Sequence, residues 1–162
     1  MDIVIYGTLC AEGEERVAAY RLLELAISRE LGMDTVPEIA REVGGKPFFP
    51  RERQISFNIS HSHGAAVVAL HDQSIGIDVE KLRPAPKRLS AGMESDAFFR
   101  WWTIREASVK KRGGSIAPVL HGEIEVDPLC RVYEDLLPGY IVAVCPSFDA
   151  EIRVEFIGEE QL

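Results

Sequence analysis

The sequence predicts an α+β fold with mostly antiparallel sheets, because a helical stretch followed by several short strands occurs twice. Apolar residues recur at helical spacing over residues 14–31, and residues 94–112 have strong helix-forming content. Each stretch ends at a glycine, Gly32 or Gly113, which is a common stop signal. No sequence repeat aligns, but the repeated order of elements predicts two similar subdomains.

In the first half, β-branched and alternating residues predict short strands. The segment around 44–47 predicts a turn, and the strand at 55–59 is expected to break at 60–64. A hairpin turn around 71–74 is expected to join the last two strands. The predicted strands are residues 3–6, 38–43, 55–59, 65–70 and 74–80.

The second half begins with a proline-containing loop over 81–92 and continues with the helix over 94–112. Turn residues such as Pro138-Gly139 then separate four further stretches of strand character. These predicted strands are residues 122–126, 130–136, 140–145 and 151–156. The division into halves is placed at 1–72 and 73–162, as one compact unit with a shared cleft.

Composition narrows the classes of protein that fit. A net charge of −8 over 162 residues argues against general nucleic-acid binding, and no apolar run reaches the ~20 residues that span a membrane. Asp2 stands where a signal peptide carries positive charge, so the sequence does not predict export. Cys10, Cys130 and Cys145 are odd in number and lack CxxC spacing, so we interpret them as reduced thiols of a cytoplasmic protein.

Basic residues are concentrated in one zone of this acidic chain. Nine of the 18 Lys and Arg residues lie between Lys81 and Arg112, where only three acidic residues occur. Such a zone can attract a polyanionic small molecule, or it can be the solvated face of the second helix. Charge alone does not separate these alternatives.

Three carboxylates carry the most chemical information. Asp78 and Glu80 alternate along a predicted strand, so they share one face, where two neighbouring carboxylates repel unless a cation lies between them. Glu106 and Lys110 are four apart on the predicted helix and also share a face, which alone indicates an ordinary ion pair. An oxygen-rich acidic set suits Mg²⁺ with a phosphate as a further ligand. His61 and His63, by contrast, make a poor zinc set.

Three segments in order resemble the 4′-phosphopantetheinyl transferase superfamily, in particular its surfactin-synthetase-activating type in a shortened form. They read FNISHS at 57–62, IGIDVE at 75–80 and FFRWWTIREASVK at 98–110, and Gly45-Lys-Pro47 resembles a fourth motif. The resemblance covers about residues 19–114. Each motif is weak alone, and the ordered set is specific.

The resemblance implies a pseudo-dimer of two similar helix-plus-antiparallel-sheet halves, with coenzyme A in the cleft between them. It implies transfer of 4′-phosphopantetheine from coenzyme A to a serine of an acyl or peptidyl carrier protein, with release of adenosine 3′,5′-bisphosphate. The expected enzyme is a monomer without a nucleic-acid or membrane partner.

The resemblance also assigns residues. Asp78, Glu80 and Glu106 would hold Mg²⁺, and Lys110 would contact the phosphates. Lys46, Ser60 and His61 would contact the nucleotide end of coenzyme A, and Arg21 is similar to a coenzyme A-binding arginine of the family. We expect Glu106 to act as the base on the carrier serine, directly or through a water.

Two alternatives stay open at this point. A non-catalytic protein of the same fold would bind coenzyme A or a carrier without transfer, and the short segment ahead of Gly45 favours it. The three acids with Lys110 favour the enzyme, since a pure binder has no need of a metal set. An unrelated Mg²⁺-dependent phosphoesterase has little support, because no nucleophile motif accompanies the acids.

Overall fold

A computed structural model of the chain describes residues 1–114, 119 and 124–162 and confirms the α+β class. Nine strands and three α-helices are described, with a short 3₁₀ helix at Glu159–Gln161. The helices are α1 (Glu15–Leu31), α2 (Lys87–Ser90) and α3 (Ser95–Arg112). The strands are β1 (Ile3–Leu9), β2 (Ala40–Arg41), β3 (Pro47–Phe48), β4 (Ser56–Ser62), β5 (Ala65–His71), β6 (Gly76–Lys81), β7 (Arg131–Tyr133), β8 (Tyr140–Cys145) and β9 (Ile152–Phe156).

The first sheet has the strand order β4-β5-β1-β9 and is covered on one face by α1. Its pairs are antiparallel except β1 with β9, which run parallel. The apolar stripe of α1, which includes Leu22 and Ile27, packs on Tyr6, Phe57 and Val68 of this sheet. This hydrophobic layer gives the sheet a rigid support.

The second sheet has the order β6-β8-β7, is antiparallel throughout and packs against α3. The other faces of the two sheets meet in a second core, where Ile5 and Val67 contact Ile77 and Val142. The alternation of side chains along each strand makes this two-faced packing possible. Strand β6 therefore lies between the first sheet and α3.

Two strand predictions in the first half are wrong. Strand β4 does not break at residue 60 but continues to Ser62, and the turn falls at His63 and Gly64, both with positive φ. The predicted hairpin between β5 and β6 is absent, because β5 pairs with β1 and β4 while β6 pairs with β8. Local turn signals mark where the chain bends and do not determine which strands then pair.

Other boundaries differ by smaller amounts. The 38–43 prediction shrinks to β2, the loop over 81–92 contains the short α2, and the 130–136 prediction shrinks to β7. Residues 122 and 123 of the predicted strand 122–126 lie outside the described part, and residues 124–126 are not a strand. The strands predicted at 140–145 and 151–156 are confirmed as β8 and β9.

The interpretation of three reduced thiols is wrong for one pair. Cys130 and Cys145 form a disulfide, whereas Cys10 is free. The antiparallel register pairs Arg131 with Val144. Cys130, which precedes Arg131, therefore lies opposite Cys145, which follows Val144. Within the described part of the chain, no helix is both long and apolar enough to cross a membrane.

Candidate active site

Strand β6 carries Asp78 into the space between β4 and α3. The Asp78 side chain is 2% exposed, and its Oδ1 atom accepts hydrogen bonds from Ser60 Oγ at 2.8 Å and Lys110 Nζ at 2.5 Å. Its Oδ2 atom is buried and has no hydrogen-bond partner among the described residues. A buried carboxylate oxygen without a donor is unfavourable, so this oxygen can accept one more positive or donating group.

Glu80 lies two residues further along the same face of β6. Its Oε2 atom accepts hydrogen bonds from Ser62 Oγ and from Arg83 Nη1, both at 2.9 Å. The Arg83 guanidinium also donates to the Lys81 carbonyl and lies 4.5 Å from the ring centre of Phe99 on α3. Glu80 is therefore held in one orientation by two donors, one of them charged.

A row of polar side chains on β4 faces β6. Asn58, Ser60 and Ser62 are two residues apart, so they lie on one side of the strand. Asn58 Oδ1 accepts from the Ile77 amide at 2.8 Å, and Ser60 Oγ accepts from the Val79 amide at 3.3 Å. These contacts join the two sheets and place both serine hydroxyls against the carboxylates.

Helix α3 brings Glu106 and Lys110 onto the same group, as their spacing predicts. Lys110 Nζ lies 2.5 Å from Asp78 Oδ1, 3.8 Å from Glu106 Oε2 and 2.9 Å from Ser60 Oγ. A close approach of α3 to β6 makes this possible. A Cβ atom at Gly76 would lie 2.0 Å from the Ala107 carbonyl oxygen, so only glycine fits at that position.

The electrostatics of Glu106 differ from those of an exposed glutamate. Burial and the negative charge of Asp78 raise its pKa to about 8, and the nearby Lys110 opposes this shift only in part. Neutral pH therefore favours the protonated carboxyl in the absence of another cation. Such a perturbed carboxyl beside a second buried acid is typical of functional sites.

The side chains do not form a ready coordination sphere as they lie. Over residues 1–114, 119 and 124–162, no group of three His, Cys, Asp or Glu side chains is arranged to hold a metal ion. The Lys110 ammonium lies between Asp78 and Glu106 instead. The unpartnered Asp78 oxygen and the raised pKa of Glu106 still fit a hard divalent cation, since both would be relieved by one.

Two cavities that share Pro47 and Ile59 form a groove between Lys110 and α1. Near Lys110 a cavity of about 180 Å³ is lined by the turn 44–46, Pro47, Asn58, Ile59 and the end of α3, so it includes the predicted binding residue Lys46. Pro47 and Ile59 also line a second cavity of about 440 Å³, together with Arg16, Tyr20, Arg41 and His61. The far end of the groove is therefore cationic, with an aromatic ring beside it, which suits a phosphorylated nucleotide.

Two of the proposed nucleotide-binding residues, Lys46 and Arg21, do not line the larger cationic cavity, although each lies next to it. Lys46 donates to Ser74 Oγ at 3.1 Å, to the Ile75 carbonyl at 3.0 Å and to the Lys111 carbonyl at 2.9 Å, and burial lowers its pKa. It joins β3 to β6 and to the end of α3. Arg21 is exposed on α1 and lines a separate shallow depression with Arg16 and Tyr20.

Sequence reasoning missed four residues of the site. Arg16 and Arg41 lie at the cationic end, and Ser62 and Arg83 hold Glu80. Ser62 could have been found, because it continues the alternation of Asn58 and Ser60. Arg16 and Arg41 carry no local signal, since they meet only through the packing of α1 beside the β2–β3 turn.

Comparison with known proteins gives several relatives of one kind. The 4′-phosphopantetheinyl transferase AcpT of Salmonella typhi is 30% identical over 149 residues, which cover 80% of this chain and 77% of the relative. The 4′-phosphopantetheinyl transferase Sfp of Bacillus subtilis (strain 168) is 28% identical, covering 82% and 75%. HetI of Nostoc sp., which carries the same description, is 32% identical over 54% of this chain and 46% of its own. A scan against protein-family models finds no match.

Proposed function

Because this chain belongs to the 4′-phosphopantetheinyl transferase family, we propose that it moves the 4′-phosphopantetheine arm of coenzyme A onto a serine of an acyl or peptidyl carrier protein. Adenosine 3′,5′-bisphosphate would be released, with Mg²⁺ as the metal. The subtype that fits is the surfactin-synthetase-activating one in a shortened form. The chain itself is an enzyme of the transferase class.

One observation carries this proposal. A glutamate with a pKa raised to about 8 lies beside a buried aspartate that has an unpartnered oxygen, and Lys110, which contacts both, lines a groove whose other end is cationic. The acidic end suits a metal-bound pyrophosphate and the cationic end suits a further phosphate. Coenzyme A is a molecule with both features.

The acidic cluster offers a ligand set for Mg²⁺. Asp78, Glu80 and Glu106 supply only oxygen donors, which is what this ion prefers. When bound, Mg²⁺ would neutralise charge on the pyrophosphate and on the leaving phosphate. Lys110 and Arg83 also balance these carboxylates, at 2.5 Å from Asp78 and 2.9 Å from Glu80.

The chain's own residues would then carry the proton and hold the phosphates. The serine oxygen of the carrier forms a bond to the phosphorus next to pantetheine, and the bond from that phosphorus to the bridging oxygen breaks. The serine proton passes to the Glu106 carboxylate, directly or through a water, while the nucleotide leaves with the electron pair. Lys110, once released from Asp78, is a fixed positive charge for the pyrophosphate.

The nucleotide end of coenzyme A would occupy the larger cavity. Arg16, Arg41 and His61 would face its 3′-phosphate, and Tyr20 offers an aromatic surface for the base. Ser60 lies closer to the acids, and its hydroxyl would serve the phosphates at that end. Lys46 and Arg21 stay as predictions, with Lys46 acting through the position of the turn that it ties to α3.

The carrier protein would approach over the segment that follows β6. Leu89 and Met93 are exposed apolar side chains there, at 40% and 36%, with Lys87 and Arg88 beside them in sequence. An apolar contact surrounded by positive charge suits an acidic partner. A cytoplasmic location, where such a partner and coenzyme A would be met, stays a prediction.

The test is transfer to a carrier measured by mass spectrometry. Purified chain with Mg²⁺, coenzyme A and apo carriers from a panel should add about 340 Da to at least one carrier, the mass of the transferred group. Asp78→Asn, which keeps the side-chain shape, should abolish the addition while the circular dichroism spectrum is unchanged. Normal transfer by Asp78→Asn would contradict the metal assignment.

A non-catalytic binder of coenzyme A or of a carrier is the second candidate. The short segment ahead of Gly45 favours it. A binder would take up coenzyme A equally well with and without Mg²⁺ in calorimetry and would give no mass increase on any carrier. An enzyme should bind coenzyme A more tightly when Mg²⁺ is present.

A further inference from the structure

The outer side of β9 is an open sheet edge. Strand β9 is the last in the order β4-β5-β1-β9, and within the described residues no other strand pairs with its outer side. An unpaired edge presents backbone donors and acceptors that another strand can use. This feature is remote from the acidic cluster, and the inference that follows does not depend on the proposed function.

The backbone groups on the open side belong to alternate residues. The Glu151 carbonyl accepts from the Ile3 amide, and the Ile157 amide donates to the Gly7 carbonyl, so the odd-numbered residues face β1. Backbone groups alternate along a strand, and those of Ile152, Val154 and Phe156 therefore point outward.

The side chains of the same three residues are apolar. Val154 is 36% exposed and Phe156 54% exposed, and both lie beside an apolar hollow lined by Ile5, Leu136 and Leu137. Arg153 and Glu155 lie on the opposite face, where they form an ion pair with each other and contact Glu30 and Arg29 of α1. An exposed apolar pair on an unpaired edge is unusual for a chain that stays single.

Strand β9 is complementary to a second copy of itself in antiparallel orientation. An antiparallel pairing centred on Val154 sets Arg153 opposite Glu155 of a second copy, and Glu155 opposite its Arg153. The same register sets Ile152 opposite Phe156, which is a favourable β-branched and aromatic pair. It also aligns Ile152, Val154 and Phe156 so that all of their outward backbone groups meet partners.

We propose that a second copy of this chain binds at β9, joining the two four-stranded sheets into one continuous sheet about a two-fold axis at Val154. Such an interface is the same patch on both subunits, which is the commonest symmetry of soluble oligomers. The order of Arg153 and Glu155 favours this occupant, because the two-fold axis adds an opposite charge from the second copy to the ion pair that these residues form within one chain. The inference departs from the monomer expected from the sequence.

The first experiment measures the mass of the intact chain in solution over a concentration series, by sedimentation equilibrium. The expected result is about twice the 18.0 kDa of one chain. Val154→Pro removes only an outward N–H and is tolerated at a sheet edge, so it should give the mass of one chain. Val154→Thr keeps that N–H and the branched shape, so it should stay a dimer. Circular dichroism verifies the fold of each variant.

A second experiment tests the register by exchanging charges. Arg153→Glu and Glu155→Arg should each give monomers, because like charges would then face each other across the two-fold axis. A mixture of the two variants restores both opposite-charge pairs and should form a mixed dimer, which loss of stability in either chain alone would not produce.

Three results would overturn the proposal. A wild-type chain that has the mass of one copy at every concentration excludes the dimer. A dimer that persists in folded Val154→Pro places the interface elsewhere. Failure of the two charge variants to associate on mixing excludes this register, even if the Val154→Pro variant does not fold.

Discussion

The two long helices, α1 and α3, are similar in length and in how they end, but they bury different kinds of side chain. Helix α1 has 17 residues, helix α3 has 18, and each ends at a glycine in the left-handed conformation. Helix α1 buries only alanine, leucine and isoleucine. Helix α3 buries Thr103 and Ser108 among its apolar residues and turns Glu106 and Lys110, which are only 12% and 29% exposed, toward β6.

The difference teaches where stability and chemistry reside in this fold. The face of α1 removes apolar surface from water, which is the main favourable term in folding. The face of α3 places a carboxyl next to Asp78 with limited access to water, which opposes its ionisation. Changes on the buried face of α1 should therefore lower stability without changing the chemistry, and changes at Glu106 should change the chemistry without lowering stability.

The largest effect is expected for Glu106→Gln. Loss of the base and of one metal ligand should lower the turnover of carrier modification by about 10²–10³-fold, the scale of removing a single group that acts on the transition state. The fold should be kept, because the amide has the shape of the carboxyl without its charge. Asp96→Asn, at an exposed acid in the first turn of the same helix, is the matched control and should transfer normally.

On the other helix, Leu22→Ala should give the opposite pattern. Leu22 is fully buried in the core between α1 and the first sheet, so truncation should lower the free energy of unfolding by about 2–5 kcal/mol. Transfer per folded molecule should be unchanged. Val17→Ala, at a side chain 55% exposed on the same helix, should leave the urea midpoint nearly where it was. A large activity loss in folded Leu22→Ala would break the comparison.

Gly76→Ala should damage stability and chemistry together. A Cβ atom there would lie 2.0 Å from the Ala107 carbonyl oxygen and 2.5 Å from the Lys111 amide nitrogen, so α3 must move away from β6. We expect a loss of about 1–3 kcal/mol in unfolding free energy, typical of overpacking, and weaker transfer as Glu106 withdraws from Asp78. Gly7→Ala is the control, since its Cβ atom would meet only side chains at ordinary contact distances.

The local sequence pattern was enough to find the residues of the site, but it did not show that they lie together in the fold. Alternation placed Asp78 and Glu80 on one face, and helical spacing placed Glu106 and Lys110 on another. These side chains come together because Gly76, which has no Cβ atom, lets α3 lie close to β6. The requirement for glycine at this position is visible only in the folded structure. The roles assigned to these residues stay predictions.

Pairing between strands was the weakest part of the sequence prediction. Strands β5 and β6 follow each other through a short turn, which favours a hairpin, yet they belong to different sheets. Contacts with residues far away in the sequence outweigh this local preference. Strand β8 pairs with β6 along its full length, and α3 packs on one face of β6. The predicted monomer and the predicted similarity of the two halves stay predictions for the same reason. Both depend on surfaces formed by residues that are far apart in the sequence.

The last expected effect is a loss of stability with rising pH that comes from Glu106 on α3, whereas the pKa values of Glu15 and Glu30 on α1 are lowered and so act in the opposite direction. In protein stripped of metal with a chelator, the pKa of Glu106 is raised to about 8 from an ordinary 4.5, so the folded state binds a proton more tightly than the unfolded state. The contribution to stability is complete below about pH 4.5 and is lost as the pH rises through about 8. Urea unfolding of the wild type should therefore weaken over this range relative to Glu106→Gln, which cannot titrate. Equal slopes for the two proteins would mean that Glu106 is ionised in the folded state, and that the contrast between the helices is one of shape alone.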